Sequence, residues 1–98
     1  MVTYQITIPA SGKVRITDTT AGFFVNVPAN TMVQTLLIQN NAAHSIRVGD
    51  STVTSTKGVQ ITASGSSNFG AFMNYNTMLS DWWIDGTAGD VIDILYIQ

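Results

Sequence analysis

The chain has 98 residues, a net charge of −2 and ten charged side chains, four basic and six acidic, with every acid an aspartate and no cysteine anywhere. A chain of that length encloses one core and rarely two, so a single domain over 1–98 is expected. The four scattered cations, Lys13, Arg15, Arg47 and Lys57, are too few to track a phosphate backbone; the missing thiols exclude disulfides, thiol catalysis and thiolate metal sites; and no apolar run approaches the ~18 residues of a membrane helix.

What remains is Val, Ile, Thr, Tyr, Phe, Trp, Ser, Asn, Gln and Gly, a vocabulary that suits half-buried pleated surface better than helix. Soluble domains carry roughly 25% charged residues, against 10% here. So little charge does little to keep copies apart, which points to an assembly component. The opening residues Val2 to Ile8 alternate and lack a basic segment followed by a continuous apolar core, so no signal peptide is expected and synthesis in the cytoplasm of the producing cell is.

In chain order, Val2, Tyr4, Ile6 and Ile8 predict a first strand that Pro9-Ala10-Ser11-Gly12 ends, and Val14 and Ile16 a second. Phe23, Val25 and Val27 line a third, closed by Pro28-Ala29-Asn30. Residues 31–38 make a fourth whose Leu36-Leu37-Ile38 run is apolar on both faces; Gln39-Asn40-Asn41 then ends it. Short strands follow at 45–48, 53–55 and 59–63, broken by turns at Gly49-Asp50 and Lys57-Gly58, where glycine supplies positive φ. Residues 64–67 read as a turn, 68–73 as a strand and 74–76 as a turn. The chain finishes as a hairpin of 77–85 with 90–97, linked by Gly86-Thr87-Ala88-Gly89. About eight to ten short strands predict an all-β, compact antiparallel sandwich.

Successive strand residues face opposite ways, so Phe23-Phe24 and Trp82-Trp83 must each send one ring to the core and one away. Trp82 shares parity with Met78 and Ile84 and is the core candidate; Trp83 lies with Leu79, Asp81 and Asp85 on the other face, and Phe24 with Asn26. In the last strand Ile92, Ile94 and Tyr96 share one face and Val91, Leu95 and Ile97 the other, so both want burial. Either the chain covers these faces itself or Phe24, Trp83, Leu95 and Ile97 belong to a subunit interface.

Gly49-Asp50-Ser51-Thr52 looks like the nucleophile block of GDSL-type hydrolases. The imidazole that chemistry needs should follow far downstream in an Asp-x-x-His pair, whereas His44, the only histidine, precedes the serine. A turn held by Asp50 and Ser51 is the better reading, and no catalytic residue is expected. Asp81, Asp85, Asp90 and Asp93 lack the alternating spacing of a calcium loop, so neither metal nor cofactor is expected. Trp83 and Tyr75 with neighbouring Asp and Asn could stack on and hydrogen-bond a glycan, which makes a lectin-like module the alternative to an assembly subunit.

The stretch Ile46-Arg47-Val48-Gly49-Asp50-Ser51, followed by Thr56-Lys57-Gly58-Val59-Gln60-Ile61 and later by Gly86-Thr87-Ala88-Gly89-Asp90-Val91, resembles small virion proteins of tailed bacteriophages. The likeness covers roughly the C-terminal half. It implies a jelly-roll-like β-sandwich and a structural role in the particle: a capsid decoration or cement protein, often trimeric, bound to a major capsid protein, or else a small tail or head-tail component. It carries no catalytic residue over.

Overall fold

Alternation along the sequence becomes strand burial in the computed structural model, which describes residues 2–18, 31–69 and 77–98. Ten strands lie among those residues: β1 (Val2–Thr7), β2 (Lys13–Arg15), β3 (Met32–Val33), β4 (Thr35–Asn40), β5 (Ile46–Gly49), β6 (Val59–Ile61), β7 (Ser66–Asn68), β8 (Thr77–Met78), β9 (Trp83–Asp85) and β10 (Val91–Ile97). Every pairing is antiparallel. One four-stranded sheet runs β1-β10-β4-β7, a second runs β2-β9-β5-β6, and β3 with β8 forms a small ribbon. Tyr4, Ile6, Leu36, Ile38, Ile92 and Ile94 from the first sheet meet Val14, Ile46, Val48, Ile61 and Ile84 from the second in one buried cluster. The two sheets therefore pack face to face around a single core, the all-β antiparallel sandwich expected from the strand pattern.

The ending differs from the expected hairpin. Strand β9 pairs with β2 and β5, while β10 pairs with β1 and β4 in the opposite sheet. The 86–89 link thus crosses from one layer to the other. Its backbone bonds go to the first turn of the chain: the Gly86 N–H donates to the Gly12 carbonyl and the Gly89 N–H to that of Ile8, both at 2.8 Å. The crossing leaves β10 between β1 and β4. As an inner strand of its sheet it sends Ile92, Ile94 and Tyr96 into the core, all buried, and Val91, Leu95 and Ile97 outward.

Residues 77–85 do not form one strand. A 3-10 turn at Leu79–Asp81 interrupts it and resets the parity, so Leu79 is fully buried instead of sharing the outer face with Trp83. Trp82 is half-buried against the core, its ring 5.0 Å from that of Phe69. The expected strand 31–38 is split at Gln34 and runs on through Asn40. The expected strand at 53–55 is a turn with one bridge between Thr54 and Lys57. Ser66–Asn68, expected partly as turn, pairs with β4. The expected strand over Phe23, Val25 and Val27, with Phe24, lies outside the described residues, as do Tyr75, the 74–76 turn and most of the 68–73 strand.

Candidate functional site

Because the sheets face each other, their outer faces point to opposite sides of the molecule, and these faces differ sharply. On the first sheet the outward row Thr3–Leu95–Leu37–Asn68 lies beside the row Gln5–Asp93–Gln39–Ser66, with Ile97 opposite Thr35. Asp93 is the one charged residue in these rows, and Ile97 remains 39% exposed. Leu37 and Leu95 are half-buried.

The outer face of the second sheet carries the cations. Lys13, Asp85, Arg47 and Gln60 make one cross-strand row; Arg15, Trp83 and Gly49 make the next. The guanidinium of Arg15 sits 4.8 Å from the Trp83 ring centroid and the Lys13 ammonium 5.6 Å from it. Lys13 reaches across β9 to the carbonyl of Ser51, which straps the indole down. Such cation–π contacts are worth about 0.5–1 kcal/mol at exposed sites. The expected interface set is therefore divided: Trp83 belongs to one side of the sandwich, Leu95 and Ile97 to the other.

The 50–58 segment folds back over this face. Asp50 Oδ1 accepts from the Thr52 N–H at 2.9 Å and from the Thr52 hydroxyl, closing the turn expected there. Those two bonds, hydroxyl first, hold the Asp50 carboxyl below its ordinary range, with Lys57 and Lys13 adding to the effect. Val53 is buried at 2% exposure yet stands apart from the main core. Glycines make room for it: a Cβ on Gly58 would fall 2.8 Å from Val53 Cγ2 and from the Val48 carbonyl oxygen, and one on Gly49 would touch Val53 at 3.4 Å. Of the expected turn glycines, Gly58 and Gly89 hold positive φ, at 132° and 90°. Gly49 and Gly86 do not; what selects glycine at Gly86 is crowding, since a Cβ there would lie 3.1 Å from Ile46 and 3.2 Å from Ile8.

Between the 50–58 turn and the 3-10 turn lies an open depression of about 400 Å³ lined by Arg15, Asp50, Ser51, Ser80, Asp81 and Trp83. Beside it, a smaller one of about 160 Å³ includes Arg47, Gln60 and Asp85. Arg47 donates to the Gly58 carbonyl at 3.0 Å and to Gln60 at 3.3 Å, leaving Asp85, its register partner, without an ion pair among the described residues.

His44 stands at the other end of β5 from Ser51 and places Nδ1 3.1 Å from Asp90 Oδ1; the second Asp90 oxygen accepts from the Thr87 N–H. This pair fastens the crossing link. Ser45 accepts from Gln60. Among the described residues no three His, Cys, Asp or Glu side chains gather to hold a metal ion, and no helix is long and apolar enough to cross a membrane.

Sequence reasoning missed Asn40, read only as polar punctuation. It is fully buried, donates Nδ2 to the carbonyls of His44, Ile61 and Thr62, and accepts from the Ala42 N–H. The strand's parity, which puts Asn40 on the side of Leu36 and Ile38, was the available signal. The chain matches no family model, no curated protein and no solved structure.

Proposed function

We propose that this chain is a non-enzymatic structural protein of a tailed-phage particle, acting as a capsid decoration subunit in preference to a tail or head-tail component. It associates with copies of itself, as a trimer on the family resemblance, and binds the virion surface. The observation that carries the association is the outer face of the first sheet, where Leu37, Leu95 and Ile97 lie together with Asp93 as the lone charge in the neighbouring rows. Apolar patches rimmed by Thr, Gln and Asn are the anatomy of protein contacts. The particle itself is supported by the motif resemblance, whose segments form β5, β6, their turn and the crossing link. Gold-labelled antibody against the chain, applied to purified virions from a producing host, tests the reading. Label at regular positions on the capsid is expected; particles free of the protein would overturn it.

A further inference from the structure

From the geometry around Trp83, we infer that the open depression on the second sheet is a binding site for a neutral saccharide, a role separate from association through the opposite face. Arg15, Ser51 and Ser80 present donors, and Asp81 and the second oxygen of Asp50 present acceptors. Arg15 stacks on the indole and the Asp50 carboxylate feels Lys57 and Lys13, but these donors and acceptors make no hydrogen bond to one another among the described residues. Donors and acceptors interleaved in one depression match hydroxyl groups, each of which gives one hydrogen bond and accepts others.

Charge then selects among ligands. The lining is of mixed sign, Asp50 and Asp81 against Arg15 with Lys13 behind it, so it complements neither an anion nor a cation throughout. A neutral polyhydroxyl ligand requires no such complement. The half-buried indole adds the part of its ring that Arg15 and Lys13 leave uncovered, and those two contacts hold it in one orientation, which lowers the ordering cost of binding. Asp85 lies two residues along β9 on the same face, roughly 7 Å from Trp83, and opens into the smaller depression. A chain of two or three sugars can continue across the sheet.

The test compares trisaccharides of three charges on the 15N-labelled full chain: cellotriose, maltotriose and mannotriose as neutral probes, trigalacturonate as the anion and the glucosamine trimer as the cation. The indole N–H of Trp83 is read against that of Trp82, which packs on Phe69 and serves as the internal reference. At least one neutral probe should shift Trp83 saturably, with a Kd of about 1 mM, while Trp82 stays fixed. Asp81→Ala should weaken that binding about tenfold without altering the sheet signal, and Ser80→Ala should weaken it less. The charged trimers should bind at least several-fold more weakly. Stronger binding of either charged trimer, no Trp83 response to any neutral probe, or a response indifferent to Asp81→Ala would each overturn the assignment.

Discussion

The hydroxyl of Tyr4 on β1 donates to the carbonyl of Ile16 at 2.8 Å, joining the first sheet to the end of the second through the core. Tyr96 lies edge-on to Tyr4, with ring centroids 6.1 Å apart. Burial, followed by the proximity of Tyr96, pushes the Tyr4 phenol well above the ordinary tyrosine value.

That shift has a defined sign. The folded state holds the Tyr4 proton more tightly than the unfolded state, so this contribution is fully present below the unfolded value of about 10 and is lost as pH rises through the raised folded value. Denaturant melts should be level from neutral pH and weaken above about pH 10. Tyr4→Phe should lower the plateau by about 1 kcal/mol and flatten the alkaline fall; an alkaline slope unchanged by the substitution would count against this account.

Asn40 is where a one-atom change should matter most. In Asn40→Asp the three carbonyls of His44, Ile61 and Thr62 would face an oxygen where a donor belongs. Leaving them unmatched around a buried carboxylate should cost on the order of 3 kcal/mol or more at pH 7. Part of that loss should return at acid pH, when the introduced carboxyl carries a proton. Urea midpoints at the two pH values give the result, and a loss below about 1 kcal/mol would show that the side chain is not the clasp described.

Two glycines near Val53 should separate cleanly. Gly58→Ala combines a φ of 132° with a clash against the Val48 carbonyl, and should cost about 2 kcal/mol or more. Gly49→Ala meets only ordinary contact with Val53, so it should stay within about 1 kcal/mol. Equal losses would mean that the 50–58 turn is not seated on Val53 as described.

Much of the sandwich could be read from the sequence because strand parity is a local property. Ile92, Ile94 and Tyr96 alternate into the core, and Trp83 faces out, whichever strands lie beside them. Partner choice is not local. Glycine at both ends of 86–89 is equally compatible with a hairpin and with a crossing link, and only the distant carbonyls of Ile8 and Gly12 decide between them. The 3-10 turn at Leu79–Asp81 lies in a run that alternates acceptably as strand, so parity alone puts Leu79 on the wrong face. At the candidate sites, Trp83 could be singled out as an aromatic with no place in the core, but its cover by Lys13 and Arg15 depends on β2 lying beside β9, a pairing across some 70 residues. Leu37 was legible only as half of a two-faced apolar run; its alignment with Leu95 required the β4–β10 register.

Sedimentation of the wild-type chain beside Leu95→Lys tests most directly the proposal that copies meet through the outer face of the first sheet. The wild type should sediment as an oligomer, a trimer on the family resemblance, whereas Leu95→Lys should sediment as a monomer with its sheet signal intact. Trp83→Ala, on the opposite face, should leave the oligomer assembled. A wild-type chain that stays monomeric at high concentration, or an oligomer that survives Leu95→Lys, would contradict the account.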